Sequence, residues 1–163
     1  MRKTIIAIIS LFVCAGAFAQ DYKSVYQKYS DHDNVTAVYV SPAMFRLIGK
    51  VPDVRINDGD VNLGPMIKSM TGFYMLQTED QNLAEKISKD LGKVVTGKNM
   101  ELLMEVKEKG QKVKIFSVGD NEFINSLVLN VAEAEQRIFI SIDGVIKRRD
   151  LEDAIGQASG QLF

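Results

Sequence analysis

Between Met100 and Ile142 the chain alternates apolar and polar residues through four short runs, with a turn signal after each. This stretch restricts the fold more than any other. A period of two is strand geometry, and links this short force antiparallel neighbours. In the first run Met100, Leu102, Met104 and Val106 share one face, and Glu101, Leu103, Glu105 and Lys107 the other. Lys109-Gly110 then turns the chain, since glycine takes positive φ without steric cost. Lys112 to Ile115 alternates again, and Gly119-Asp120-Asn121 makes the second turn. The third run sets Leu127, Leu129 and Val131 against Ser126, Val128 and Asn130, and Glu133 to Glu135 is the third turn. In the fourth, Ile138, Ile140 and Ile142 are expected inward and Arg137, Phe139 and Ser141 outward. Asp143-Gly144 is expected to stop that strand. The result is a meander with one face against a core and one face wet.

The first residues read as an export leader. Arg2 and Lys3 are a positive start, Thr4 to Ala15 is an apolar run, and Ala17-Phe18-Ala19 is a small-x-small cleavage site. Cleavage there leaves a chain from Gln20 to Phe163. The apolar run is too short to span a bilayer, for which about 20 residues are needed. Cys14 is the sole cysteine. Lipid attachment requires a small residue before it; Val13 stands there, so Cys14 is read as leader filler and not as a lipoprotein site. The remainder has no cysteine, and at ~144 residues it can bury a sufficient core without disulfides. Losing Arg2 and Lys3 leaves 18 basic residues against 21 acidic, a net charge of −3. A mildly acidic chain argues against a nucleic-acid partner. No second long apolar run follows the leader, so no stable transmembrane segment is expected in the mature chain.

Around the meander the sequence supplies helices and further strands. Tyr22, Val25, Tyr26 and Tyr29 fall on one helical face and predict a helix over 21–30 docked on the sheet. Val35 to Val40 reads as a strand, and Ser41-Pro42 as the start of a short apolar helix through Met44, Phe45, Leu47 and Ile48, buried by default. Pro65 to Met70 allows one or two helical turns. Gly72 to Gln77 is continuous enough in apolar residues for an interior strand covered on both faces. Thr78 and Gln81 suggest a capping box opening a helix over 79–96. Leu83, Ile87, Leu91 and Val94 face inward there, and Glu85, Lys86, Lys89, Asp90 and Lys93 outward. A last helix over 150–162, capped by Asp150, carries Leu151, Ala154, Ile155, Ala158 and Leu162.

Chemistry-bearing residues are sparse. His32, the sole histidine, sits between Asp31 and Asp33 in a polar turn, with no cysteine or second histidine to complete a metal site. Lys50 to Gly64 has no periodicity and reads as an acidic loop. Asp58, Asp60 and Asn62 imitate the opening of a calcium loop, but Leu63 replaces the required glycine and Ser69 the closing glutamate. These three residues are kept as a candidate interaction loop, with no metal, cofactor or catalytic residue assigned. A hydrolase using Asp58 and Asp60 as an acid–base pair is the enzyme alternative, although no nucleophile elbow, zinc motif or phosphate loop accompanies them. Lys147, Arg148 and Arg149 form a small basic cluster, read as a solvated loop.

Several segments together resemble a known family: the leader, Val38 to Ile48, Asp60 to Gly64, Phe73 to Gln77, and Ile140 to Ile146 before a terminal helix. They resemble the small exported proteins of Bacteroidetes grouped as domain-of-unknown-function family 4252. The resemblance carries no catalytic residue. Members tend to lie near genes for extracytoplasmic-function sigma factors, which implies a cell-envelope response role. The fold expected is α+β: a two-layer sandwich, a five- to six-stranded mainly antiparallel sheet with amphipathic helices on one face. Those over 21–30, 79–96 and 150–162 are expected to cover the isoleucine face. The face with Glu101, Glu105, Lys112, Lys114, Arg137 and Ser141 is expected open. The function expected is that of a non-catalytic binding or accessory module in the periplasm or outside the cell, acting on an envelope protein or on itself. A self-assembling envelope subunit is the alternative.

Protein recovered from the periplasm should begin at Gln20 by intact mass spectrometry. A chain still carrying Arg2 and Lys3 would contradict the leader reading.

Overall fold

The structure, a computed structural model, describes residues 21–48, 55–56, 61–62 and 64–159. The leader, Cys14, Asp58 and Asp60 lie outside the described residues. The elements in order are α1 (Tyr22–Tyr29), β1 (Thr36–Val40), α2 (Pro42–Ile48), β2 (Arg55–Ile56), β3 (Val61–Asn62), α3 (Gly64–Ser69), β4 (Met70–Thr78) and α4 (Gln81–Gly97). Then come β5 (Glu101–Glu108), β6 (Gln111–Gly119), β7 (Phe123–Ala132), β8 (Arg137–Lys147) and α5 (Arg148–Ser159). Six strands form one sheet in the order β1-β4-β8-β7-β6-β5, with every neighbouring pair antiparallel. The expected α+β class and the meander from β5 to β8 are both present. The strands over 35–40 and 72–77 do extend the same sheet, at its other side.

The sheet is closed on one face by α1 and α4. Between β4 and β5 the chain must cross from one side of the sheet to the far edge, over β8, β7 and β6. Four strand spacings are about 19 Å, and a 17-residue helix is about 25 Å long, so α4 alone can make the crossing. Its inner face is the one expected: Leu83, Ile87, Leu91 and Val94 are buried. They meet Tyr22, Val25 and Tyr29 of α1 and Tyr74, Leu76, Val128 and Phe139 of the sheet. Each such side chain contributes about 1.5–3 kcal/mol on burial. The helix starts two residues later than the capping-box pattern suggests. Asp80 is the cap, accepting from the Leu83 N–H at 3.1 Å. Thr78 instead donates to the Asn34 carbonyl at 2.7 Å and so ties β4 to the loop before β1.

The sidedness of the sheet is the opposite of the one expected. Phe139 is 2 % exposed and Ser141 fully buried under the helices, whereas Ile138, Ile140 and Ile142 are only half-buried. The helical layer is on the Phe139 face. Nor does the last helix join α1 and α4: Leu151 of α5 packs with Phe45 of α2, Met66 and Ile67 of α3, and Phe73, Leu127 and Ile142 of the sheet. This second, smaller cluster stands on one end of the isoleucine face. β4 is accordingly an interior strand, but it is well covered only on its Tyr74–Leu76 side.

Two glycines differ in role. Gly110, with φ +79°, makes the β5–β6 turn as expected. Gly144 does not stop β8, which continues to Lys147. It lies opposite Met70, where the β4 register shifts. A Cβ there would run into the Ser69 carbonyl and sit 2.9 Å from Met70 Cα. Backbone cannot yield as a side chain tip can, so Gly144→Ala should destabilise the fold by about 1–3 kcal/mol in urea unfolding. Gly92→Ala, with open space around it in α4, should stabilise it by about 0.5–1 kcal/mol. Equal effects of the two would contradict the close approach at Gly144.

Candidate binding surface

The residues named from sequence do not converge. Asn62 lies in β3, paired opposite Arg55 in a two-residue ribbon. His32 is exposed in the turn after α1, its ring 6.0 Å from that of Tyr29. Among the described residues no group of three or more His, Cys, Asp or Glu is placed to hold a metal ion. The tyrosine stripe of α1 is a docking face. Tyr22 and Tyr29 are buried, and Tyr26 and Tyr39 gather round Tyr74 at ring distances of 5.4 and 5.0 Å. Burial, with the neighbouring Tyr39 and Asp143, pushes the Tyr74 hydroxyl up to about 12.

One polar cluster escaped the sequence reading. Asp90, expected outward, is buried between α1 and α4. It accepts from Lys28 Nζ at 2.6 Å, Lys93 Nζ at 2.8 Å and the Tyr29 hydroxyl at 2.9 Å. Lys28 and Lys93 hold its carboxyl well below the usual range against the opposing effect of burial. The cluster clamps the two helices together. The only sequence signal was an aspartate next to Leu91 on the inner edge of the stripe. Because folding lowers this pKa, its contribution is full above the ordinary value of 3.8 and fades as pH falls below it. Asp90→Ala, which orphans the buried Tyr29 hydroxyl, should cost about 1–3 kcal/mol at pH 7. The difference from the parent should shrink steadily below about pH 4. A pH-independent difference would contradict the charge clamp.

Two surface depressions carry no convergent chemistry either. One, of about 460 Å³, lies at the hairpin ends among Glu79, Lys109, Glu133 and Glu135. Another, of about 370 Å³, opens beside the Asp90 clamp among Lys28, Lys86, Lys89 and Lys93. Tyr29 and His32 also line the second, where the Tyr29 hydroxyl is taken up by Asp90.

The feature that stands out is the isoleucine face past the cluster built with α2, α3 and α5, on whose border Ile115 and Leu129 pack. Strand register aligns its side chains in two rows that cross the whole sheet. The upper row is Val38, Met75, Ile140, Leu129, Ile115 and Met104, one residue per strand. The lower row is Thr36, Gln77, Ile138, Val131, Val113 and Val106. Ten of the twelve are apolar, none is charged, and none is fully buried. At its edges the field is plainly open: Val38 is 37 % exposed, Met104 44 % and Val106 43 %. A β-bulge contributes to it. The register shift between Leu102 and Met104 leaves Leu103 as the extra residue and sends Leu102 to the helical face opposite Phe116. Met104 and Val106 remain with the isoleucines.

Two charges of β5 border this field, Glu101 opposite Ser117 and Glu108 beyond Val106, while the largest charge cluster of the sheet lies on the other side. Glu105 is 3.3–3.5 Å from Lys107, Lys112 and Lys114. These residues share the face of Phe139, past the end of the helical cover. The charged surface expected to be open is therefore confined to Glu105, Lys112 and Lys114 at the β5–β6 end, and Glu101, moved by the bulge, stands on the isoleucine face instead. Arg137 is half-buried and Ser141 wholly covered.

These features belong to an α+β protein with one long helical layer and a second sheet face that is mainly apolar and partly open. The sequence model of the family described as a domain of unknown function, DUF4252, matches residues 26–154. The chain belongs to that family. No curated protein and no solved structure matches the chain significantly. No helix among the described residues is long and apolar enough to cross a membrane.

Proposed function

We propose that this protein is an exported, non-catalytic binding or accessory module of the bacterial cell envelope, and that it binds through the open face of its sheet. One observation carries the reading: two aligned, uncharged rows that span six strands with no element over them among the described residues. The largest contiguous apolar patch on a soluble protein is often its functional surface. The leader supports export, and the resemblance to exported Bacteroidetes proteins supports the envelope. A role in an envelope response rests on that resemblance. The Asp58–Asn62 loop stays a secondary candidate for contact. The charged face moves down the order, because helices occupy its centre.

Photo-crosslinking in the native host tests this. A benzophenone side chain at Met104 or Val131 should give a discrete adduct in the envelope fraction, the same from both positions. The same group at Lys114 or Glu85, on the opposite side of the molecule, should give none. Adducts from the controls alone would place the binding surface elsewhere, and no adduct from either field position would remove its support.

A further inference from the structure

We infer that the hairpin end of the helical face is a binding site for a small hydroxy acid, a ligand with a carboxylate and a hydroxyl on one compact frame. The site is on the opposite side of the sheet from the open rows, and it stands whether or not those rows take a partner.

Strand register builds the hollow. Lys114, Asn130 and Phe139 form one row across β6, β7 and β8, and Lys112, Ala132 and Arg137 form the next. In the second row two long side chains flank an alanine, so the row dips at its middle. Ser88 of α4 and Phe139 also line the hollow, whose volume is about 280 Å³. Small-molecule pockets run from about 300 Å³ upward, so a compact ligand fits and an extended one does not.

Charge selects an acid. Lys112, Lys114 and Arg137 line the hollow, and among the described residues no carboxylate does. Glu105 draws on the two lysines at 3.3 and 3.5 Å, and on Lys107 at 3.4 Å. Charge-assisted hydrogen bonds are about 2.7–2.9 Å long. One carboxylate shared loosely among three ammonium groups therefore leaves donors for a second. One terminal nitrogen of Arg137 donates to the Glu133 and Gln136 carbonyls at 2.5 and 3.2 Å. That anchors the guanidinium, while its other nitrogens have no partner among the described residues. A planar fork fixed in this way suits a planar carboxylate.

An unpartnered acceptor selects the hydroxyl. Asn130 Oδ1 is buried and accepts no hydrogen bond. Its row neighbour Lys114 pairs with Glu105 instead. Burying an acceptor without a donor is costly, and Asn130 stands in the wall of the hollow. Turning its carboxamide presents that oxygen to a ligand. A simple carboxylate has no donor to give it; a hydroxy acid has one. The basic depression among Lys86 and Lys89 lacks this feature, since its buried polar groups, Tyr29 and Asp90, bond each other.

Amide NMR titration of the purified protein tests the inference, with D-glucuronate, acetate and D-glucose as probes. D-glucuronate should shift the signals of Lys112, Lys114, Asn130 and Ala132 and bind about tenfold more tightly than acetate. D-glucose, which has the hydroxyls but no charge, should not bind. Asn130→Ala should erase the advantage of D-glucuronate and leave acetate binding unchanged. Lys114→Met should weaken both acids. Ala132→Leu, which fills the hollow without changing its charge, should abolish binding of both. Each variant is first shown to be folded by circular dichroism. Lys86→Met should change nothing. No shift with about 50 mM D-glucuronate, far above a millimolar Kd, overturns the inference. Acetate binding as tightly as D-glucuronate also overturns it, because the hollow is then a charge patch only. So does unaltered binding by Ala132→Leu, or shifts confined to Lys86 and Lys89, since the acids then sit elsewhere.

Discussion

One helix decides how this molecule is divided into inside and outside. The strand order separates β4 from β5 by three intervening strands, so the connection must traverse the sheet. α4 is long enough to do so and apolar enough along one stripe to be buried by it. Together with α1, held to it by the Asp90 clamp, it covers the face carrying Leu76, Val128 and Phe139. A sheet has two faces, and this chain has one long helical layer. Among the described residues the other side is left to three short helices, and they stand at one end of it.

The functional reading follows from that shortage. An open antiparallel sheet is ordinarily polar on its wet side. Here the strands are apolar on both sides, with the second side shielded only in part. Glu105 and its lysines lie on the helical face, where the β5–β6 hairpin runs out past the helices, and on the other face Glu101 and Glu108 border the uncharged rows at the β5 edge. This distribution preserves the uncharged field at no evident benefit to the monomer. It is the distribution expected where a further layer is supplied from outside the chain.

Much of the fold was legible because it is periodic. The four alternating runs and their turns all appear, as do the inner face of α4 and the docking stripe of α1. What the sequence did not reveal is which side of the sheet the helices take. Isoleucine at 138, 140 and 142 outweighs Phe139 and Ser141 on any hydropathy count. Yet Ser126, Ser141 and Thr78 are small, and small side chains allow a helix to approach a sheet closely. Phe139, Val128 and Leu76 then fill the space between. A rank of hydrophobicity cannot separate two faces that are both apolar; the fit beneath α4 does. The bulge at Leu103 was invisible for a related reason, since one extra residue reverses the facing of everything before it. Asp90 looked like surface because charge does, and its partners Lys28 and Tyr29 come from 61–62 residues away. As for a site, the sequence pointed to the acidic loop and to the charged face, while the open surface was hidden among residues assigned to the core.

The most direct test of this division is a pair of lysine substitutions three residues apart on β7, one on each face. Val128 is 1 % exposed beneath α4, and Val131 lies in the open field. The two variants are compared by urea unfolding followed by circular dichroism. The account predicts that Val131→Lys unfolds cooperatively and that Val128→Lys has lost its cooperative transition. The reverse result, with Val128→Lys folded and Val131→Lys not, would mean that the isoleucine face is the core and that the helices lie on the side first expected.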